Sequence, residues 1–372
     1  MRRLALLMLV VAGATAAADP VRLPILVPVT GFLSLEGTSQ RNGALLALQQ
    51  APAGLAVTGE VVDTATAPEN AVNALLRVLD GGPVPAVVAS MLGTQMLALM
   101  PMAADEKLPL LTVSGTASLT EKGNPWVFRF FPSDRLAKEA HVRYAVEQLG
   151  KRKLALVYQT TAYGQSGATY IAASAKRHGA DLVFSEGIDT DVKDLAPILK
   201  RASTSGADAL LLHLHAGPTA LAIRQIAALG IALPVIAGSA LHQPATAALL
   251  DPKELKGICA ESAASPVSGG SPRMTKFLAD YRAAFGADPD AYALAQYDGT
   301  EMLLDVLAQG ARTGEAVRAA LASKSWDGIA MRYASDGHGD MAHSVVILCY
   351  DGVTRIPQIV RRYDGLDVAA AD

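Results

Sequence analysis

Two neighbouring segments of the sequence end in the same pattern of small hydroxyl residues and glycine. Apolar runs at 84–90 and 108–113 are each typical of a short buried strand, and the first leads into a helix-like stretch. The residues that follow the two runs include Gly93, Thr94, Ser114 and Thr116. Singly, each pattern is an ordinary helix start with a capping hydroxyl. On adjacent parallel strands, both would present unpaired backbone N–H groups at one sheet edge, which predicts an anion-binding site.

A second group of candidate residues follows predicted strands further along the chain. Tyr163 lies in a loop after an apolar run at 153–158, and three of the seven histidines follow later runs. These histidines are His213, His215 and His242. Strand alternation places the first two on one face, and a His-x-His pair can chelate zinc. No carboxylate or cysteine close in sequence completes a metal set. Zinc ligands, hydrogen-bonded histidines at a sheet edge and ligand contacts remain open, and we expect no metal.

The sequence carries none of the common signatures of catalysis or cofactor binding. The patterns G-x-x-x-x-G-K-[ST], G-x-S-x-G, H-E-x-x-H and C-x-x-C do not occur. We therefore expect no catalytic residues, no cofactor and no enzymatic activity. The formal net charge of −3 argues against nucleic acid as a partner.

The elements that must position these residues alternate between strand-like and helix-like segments from residue 21 to residue 237. Such alternation predicts βαβ units and parallel sheets. Two successive α/β halves, before and after Phe131 and Pro132, indicate two lobes of similar architecture. Helical segments follow after residue 265, and a late pair of strand-like runs spans 344–350 and 358–363. A chain of 372 residues also favours two domains over a single core.

The first 18 residues have the features of a secretory signal peptide. Arg2 and Arg3 precede an apolar stretch at 4–11, and small residues end at Ala18. That stretch is too short to span a bilayer, so we expect cleavage near Ala18 and a soluble exported protein.

Cysteine usage leaves the state of the two thiols open. Cys259 and Cys349 are the only cysteines, and both lie in strand-like apolar segments far apart in sequence. An oxidising compartment permits a disulfide. Because free cysteine is among the most buried residue types, we expect two buried thiols rather than a bridge.

An ordered set of short motifs resembles the periplasmic substrate-binding proteins of the leucine/isoleucine/valine-binding type. These are the type I "Venus flytrap" receptors of branched-chain amino acid ABC importers, and the likeness covers nearly all of the chain after residue 18. The motifs are Val29-Thr30-Gly31, Gly37, Asn42-Gly43-Ala44, Pro101, Lys107-Leu108-Pro109, Phe128-Arg129, Tyr163-Gly164, the helix end Arg224–Gly230, Phe277–Phe285 with Pro289, and Tyr297-Asp298.

The resemblance implies an α/β fold of two lobes, each a mainly parallel sheet flanked by helices, joined by three hinge crossovers. We place the crossovers near 130–132, 260–266 and 337–341. The implied division is a signal peptide at 1–18, a first lobe at 19–131 plus 263–338, and a second lobe at 132–262 plus 339–372.

The resemblance also implies a ligand-binding site between the lobes. Backbone N–H groups and hydroxyls of the first lobe would hold the ligand's carboxylate. These residues are Gly93, Thr94, Ser114 and Thr116. From the second lobe, the positions of two closing aromatic residues fall on Tyr163 and His215.

The position that binds the ligand's ammonium is acidic in the amino-acid receptors but falls here on Ser239 or Ala240. A buried ammonium without a carboxylate partner costs several kcal/mol, so an α-amino acid would need another acid such as Glu36. A site with His215 and Ser239, together with His213 or His242, suits a carboxylate with a neutral or acceptor-bearing remainder. Aromatic, oxo- and hydroxy-acids fit that description.

The expected function is that of the periplasmic substrate-binding component of an ABC importer. A small carboxylate-bearing ligand, similar to a branched-chain amino acid or an aromatic, oxo- or hydroxy-acid, would be captured by lobe closure. The partners would be that ligand and the membrane permease subunits, with the binding protein a monomer. Two alternatives are a ligand sensor that docks on a signalling receptor and a zinc-dependent enzyme that uses the three histidines.

Overall fold

The computed structural model describes residues 20–366 and residue 368, and these residues form two α/β lobes. The predicted signal peptide at 1–18 lies outside the described residues. The first lobe begins with a sheet of five parallel strands in the order β2-β1-β3-β4-β5. Its strands are β1 (Val21–Val27), β2 (Val57–Asp63), β3 (Val87–Val88), β4 (Leu110–Thr112) and β5 (Val127–Arg129). The helices between them are α1 (Ser34–Gln49), α2 (Pro68–Asp80), α3 (Gly93–Asp105) and α4 (Ser118–Glu121).

The second lobe repeats this arrangement. Its five parallel strands are β6 (Lys153–Gln159), β7 (Asp181–Ile188), β8 (Ala209–His213), β9 (Val235–Ala237) and β10 (Cys259–Ser262). They lie in the order β7-β6-β8-β9-β10, which matches the first sheet position by position. The helices are α5 (Asp134–Arg143), α6 (Ala162–Arg177), α7 (Ala196–Thr204), α8 (Ala216–Leu229) and α9 (Pro244–Ala247). The prediction of two lobes with similar architecture is confirmed.

The remaining chain contributes to both lobes. It comprises α10 (Pro272–Phe285), α11 (Ala291–Ala308), α12 (Gly314–Ser323), β11 (Ser325–Asp327), β12 (Arg332–Ala334), β13 (Val345–Cys349) and β14 (Gln358–Tyr363). Helix α11 packs against α1 in the first lobe, where a Cβ on Gly43 would overlap the carbonyl oxygen of Ala293. Glycine therefore permits the close approach of these two helices. Strands β13 and β14 extend the second sheet in antiparallel fashion.

A buried ion pair fixes the chain where it passes between the lobes. Arg129 ends β5, and its Nε donates to the Asp340 carboxylate at 2.7 Å, with both side chains almost completely enclosed. The backbone N–H of Met341 donates to the carbonyl of Arg129 at 3.0 Å. The segment that leads into β13 therefore runs beside the end of the first sheet. The chain passes between the two sheets three times: after β5, after β10 and before β13.

Cys259 and Cys349 form a disulfide, so the prediction of two free thiols was wrong. The two residues are register partners on β10 and β13, which are adjacent antiparallel strands. Their Cα atoms lie 4.0 Å apart although 90 positions separate them in sequence. Each segment looked like an ordinary apolar strand, and only the pairing of the strands brings the sulfur atoms together.

Helix length and polarity bear on membrane insertion. Within residues 20–366 and 368, none of the helices combines the length and the apolar character needed to cross a bilayer.

We predict that replacing both cysteines by serine lowers the free energy of unfolding by about 2–4 kcal/mol, because the bridge restricts a long loop of the unfolded chain. Urea unfolding followed by circular dichroism measures the difference. Adding a reductant should lower the stability of the wild type to that of the double variant and leave the variant unchanged. Equal stability of the oxidised wild type and the variant would contradict the prediction.

Candidate functional site

The two hydroxyl-bearing segments of the first lobe meet at one edge of its sheet, as the sequence predicted. Strands β3 and β4 are parallel neighbours, and α3 begins at Gly93, shortly after β3 ends at Val88. A Cβ on Gly93 would overlap the Thr116 hydroxyl, so only glycine lets the segments approach this closely. The hydroxyl oxygens of Ser114 and Thr116 are buried and have no hydrogen-bond partner. Thr94, in the first turn of α3, is only half-buried.

Hydrogen bonds engage the Ser114 and Thr116 carbonyl groups and leave the hydroxyls of these two residues free. Arg129 Nη1 donates to the Thr116 carbonyl at 2.6 Å and to the Ser114 carbonyl at 3.3 Å. The Ser114 N–H donates to the Thr112 hydroxyl at 3.1 Å. The guanidinium is thus committed to backbone oxygens and to Asp340, and it lies behind the hydroxyl groups. The hydroxyls of Ser114 and Thr116 remain unpaired at this edge.

In the second lobe, the predicted residues lie at neighbouring ends of strands and helices. The Tyr163 ring is 3.9 Å from the His213 ring and 5.0 Å from the His215 ring, measured between centroids. Tyr163 lies in the first turn of α6, His213 ends β8, and His215 caps α8. The Tyr163 and Ser239 hydroxyl oxygens are 3.3 Å apart, and Tyr292 donates a hydrogen bond to Ser239 at 2.9 Å. Tyr163, His215 and Ser239 therefore belong to one cluster, as expected.

The two sheet edges face each other across a closed cleft. A Cβ on Gly115 in the first lobe would lie 3.1 Å from the Tyr163 ring in the second. Glu36 of α1 accepts a hydrogen bond at 2.9 Å from the backbone N–H of Ala216, in the first turn of α8. Gly93, Ser114 and Thr116 thus lie opposite Tyr163, His215 and Ser239. Both edges are at the carboxyl ends of the strands that flank a topological switch point, where α/β sheets bind ligands.

Sequence reasoning missed part of this cleft. Asp134 follows the first crossing, Gln159 ends β6, and Tyr292 projects from α11. Nothing in the sequence pattern singled out Asp134, which follows an apolar run, or Gln159, which lies just before the candidate Tyr163. Tyr292 is contributed by a helix of the first lobe whose position the sequence pattern did not reveal.

The cleft concentrates unpartnered polar atoms. Among the described residues, twelve buried side-chain nitrogen or oxygen atoms lack a hydrogen-bond partner, and seven of them lie here. They are Glu36 Oε2, Ser114 Oγ, Thr116 Oγ1, Asp134 Oδ2, Gln159 Nε2, His213 Nδ1 and His215 Nε2. Buried polar atoms are almost always paired, because an unpaired one costs about 1–3 kcal/mol. A small polar molecule bound between the lobes would supply the missing partners.

Burial shapes the charge of the cleft. It raises the pKa of Glu36 and that of Asp134 to about 7, because the carboxylates lose their hydration. Burial lowers the pKa of His215 to about 4 and holds the pKa of His213 well below its usual value. At neutral pH both imidazoles are uncharged.

A separate charged network supports the floor of the second lobe. Burial alone would raise the pKa of Glu261, but the adjacent Lys138 ammonium and a 2.7 Å hydrogen bond to His141 lower that pKa to about 2. Glu261 also accepts a hydrogen bond from the Ser239 N–H at 3.0 Å. Its charge is balanced by Lys138, so Glu261 positions Ser239 and is not a free acid for a ligand.

His242 lies beside this floor with both ring nitrogens in use. Its Nδ1 donates to the Ser239 carbonyl, and its Nε2 accepts from the Ala291 N–H at 2.9 Å. Within the described part of the chain, no three histidine, cysteine or acidic side chains are grouped so that they could hold a metal ion.

Most of the chain matches a known protein family. The family model described as "Periplasmic binding protein" matches residues 20–351. The chain is 24% identical over 226 residues to the leucine-, isoleucine-, valine-, threonine- and alanine-binding protein of Pseudomonas aeruginosa, an alignment that spans 59% of this chain and 60% of that protein.

Two solved structures share the fold. A leucine-binding protein from Thermotoga maritima superimposes with a TM-score of 0.84 at 22% identity, covering 92% of this chain and 99% of that one. An ABC-transporter solute-binding protein from R. palustris, in complex with 4-hydroxybenzoate, gives a TM-score of 0.83 at 20% identity and covers 94% and 98%. The match of the family model over most of the chain, on a two-lobed fold with a polar cleft, shows that this chain belongs to the periplasmic binding protein family.

Proposed function

We propose that the chain is the periplasmic substrate-binding component of an ABC importer and that it captures a small carboxylate-bearing ligand by lobe closure. The observation that carries this proposal is the set of seven unpartnered polar atoms that two lobes enclose in one cleft. A ligand that bridges both lobes stabilises the closed form over the open form. Membership of the periplasmic binding protein family supports the same function.

The ligand's carboxylate would bind at the first-lobe edge. Ser114 and Thr116 provide buried hydroxyls without partners, and Gly93 and Thr94 provide backbone N–H groups at the start of α3. Hydrogen bonds to a charged acceptor are worth about 1.5–3 kcal/mol each, and micromolar affinity requires about 8 kcal/mol in total. Two or three such bonds plus apolar burial supply that amount.

The second lobe would contact the remainder of the ligand through Tyr163, His215 and Ser239. Burial holds the pKa of Tyr163 well above its usual value, so its phenol stays protonated and can donate. The P. aeruginosa relative is named for amino acids, and the R. palustris structure contains 4-hydroxybenzoate. We include both branched-chain amino acid-like compounds and aromatic, oxo- or hydroxy-acids. An amino acid remains a candidate because Asp134 and Glu36 supply the carboxyl groups that the position of Ser239 does not.

The proposal also covers processing and delivery. We propose that residues 1–18 are removed on export, that the first lobe comprises 19–131 plus 263–338, and that the second comprises 132–262 plus 339–372. The closed monomer would present its ligand to membrane permease subunits, with no catalytic step. An intact mass for the periplasmic protein that begins at Asp19 would support the processing, and a mass that includes Arg2 and Arg3 would contradict it.

A thermal-shift screen tests the proposed function, since a ligand that binds only the folded protein raises its melting temperature. The screen sets branched-chain amino acids beside aromatic, oxo- and hydroxy-carboxylates, with the matching amides as controls. We expect at least one carboxylate to raise the melting temperature and its amide to have no effect. Equal shifts from acids and amides would argue against a carboxylate-binding site.

We predict that Thr116→Val weakens binding of the carboxylate selected by the screen by about 1.5–3 kcal/mol, because one hydrogen bond to the charged group is lost. Isothermal titration calorimetry gives the change in Kd. The matched control is Thr275→Val on α10, an exposed threonine far from the cleft, which should leave Kd unchanged. An unaltered Kd for Thr116→Val would remove this residue from the site.

Lobe closure in the absence of ligand should depend on pH. The pKa of Glu36 is raised to about 7 in the closed form, whereas water in an open cleft would return it toward 4.5. The closed form therefore binds more protons between these values. Closure is favoured as pH falls from 8 to 5.5 and is lost as pH rises through about 7.

Small-angle scattering of the ligand-free protein measures this effect as a smaller radius of gyration at pH 5.5 than at pH 8. Glu36→Gln should reduce the difference, leaving the part that is due to Asp134. The control Glu106→Gln, at an exposed site, should leave it unchanged. A pH response that is identical in the wild type and in Glu36→Gln would show that this carboxyl does not govern closure.

A further inference from the structure

The protonation of His213 follows from its hydrogen bonds. Its Nε2 lies 3.0 Å from the backbone carbonyl oxygen of Tyr163, which can only accept a hydrogen bond. Nε2 therefore carries a proton. The ring is completely enclosed, and burial holds the pKa of His213 well below its usual value, so the imidazole has a single proton. The other nitrogen, Nδ1, is left with a lone pair and can act only as an acceptor.

Packing fixes the direction of this lone pair. The Tyr163 ring stacks on one side of the imidazole at 3.9 Å, and on α6 a Cβ at Gly167 would overlap the ring. The imidazole has no room to turn over and exchange its nitrogens. A Cβ on Gly238 would lie 3.3 Å from both Nδ1 and the Tyr163 hydroxyl, so glycine avoids crowding on this side of the ring.

The hydroxyl groups nearest to the ring bond to one another and make no hydrogen bond to Nδ1. The Tyr163 hydroxyl lies within hydrogen-bond distance of Ser239 Oγ, which also accepts from Tyr292. Asp134 approaches His213 on the other nitrogen, with its Oδ1 3.8 Å from Nε2. Nδ1 has no partner in the described structure. A completely buried acceptor in this condition calls for a donor from outside the protein.

We propose, building on the proposed function, that the ligand carries an O–H or N–H donor besides its carboxylate, and that His213 Nδ1 accepts a hydrogen bond from it. The ligand class narrows from carboxylates in general to hydroxy- or amino-bearing carboxylates. Oxo-acids and unsubstituted acids offer only acceptors or carbon at the same place and leave the nitrogen unpaired. Sites built to bind a substrate donor discriminate strongly against analogues that lack it.

Matched probes test the preference by calorimetry. One set is 4-hydroxybenzoate with benzoate and 4-methoxybenzoate. The other set is 4-methylpentanoate with its 2-hydroxy, 2-amino and 2-oxo derivatives. In the wild type we expect the best donor-bearing member of the set that binds to exceed its donor-less partners in affinity by about 10- to 100-fold, the range that a buried unpaired acceptor implies.

The variant His213→Gln isolates the nitrogen concerned. The Gln amide N–H can still donate to the Tyr163 carbonyl, whereas the acceptor at the Nδ1 position is lost. We expect the preference to fall to within about 3-fold, through weaker binding of the donor-bearing probe alone. The matched control is His343→Gln, whose Nε2 likewise bonds a backbone carbonyl, that of Ala334 at 2.9 Å. It should retain the wild-type preference.

A measurement on the wild type does not depend on the variant's folding. In protein with ¹⁵N-labelled histidine, the Nδ1 resonance of His213 should move toward the hydrogen-bonded range with a donor-bearing probe. It should stay at the free-acceptor position with the donor-less partner.

Three results would overturn the inference: equal wild-type affinity for donor-bearing and donor-less probes, a preference that survives His213→Gln, or equal weakening of all probes by that variant. The last result would indicate a structural role or a fixed water on the nitrogen. Binding of both probe types without discrimination leaves the proposed function standing. If no carboxylate binds at all, the proposed function itself fails.

Discussion

The organising constraint of this molecule is that polar atoms removed from water need partners. The closed cleft holds seven buried side-chain atoms that find none within the described part of the protein. At about 1–3 kcal/mol for each unpaired atom, the closed form is costly until a molecule of complementary polarity lies between the lobes. In the proposed function, binding and closure are one event, because the ligand supplies the hydrogen-bond partners that these atoms lack.

Two buried charged networks behind the cleft are paired within the protein. Arg129 and Asp340 satisfy each other beside the third crossing, and the same guanidinium occupies the carbonyls of Ser114 and Thr116. In the second lobe, Lys138 balances the charge of Glu261. Both networks lie immediately behind the cleft and are largely paired internally. They hold the hydroxyls and rings of the cleft in position.

Much of this could be predicted from local sequence, and the remainder depends on pairing between distant segments. The first-lobe edge was predictable because its strands, turns and hydroxyls are consecutive in sequence. Parallel pairing of the two strands is enough to bring Gly93, Ser114 and Thr116 together. The disulfide was not, since the register of β10 against β13 decides whether Cys259 and Cys349 meet. The apolar pattern of each strand says nothing about its pairing, and it fits a buried thiol as well as a disulfide.

The chemistry of the second lobe was the least predictable part. The sequence placed His213 and His215 near the site but assigned the ligand a neutral or acceptor-bearing remainder. The tautomer of His213 depends on the Tyr163 carbonyl, a contact that the sequence does not reveal and on which the proposal of a donor-bearing ligand rests. Asp134 likewise becomes significant only because the first crossing buries it opposite Gly115.

The most direct test of the central claim is a crystal structure of the wild-type protein with the tightest-binding carboxylate. We expect closed lobes, with the carboxylate oxygens within about 3.2 Å of the Ser114 and Thr116 hydroxyls. A carboxylate bound at any other place, or a bound cleft in which both hydroxyls remain without partners, would contradict it.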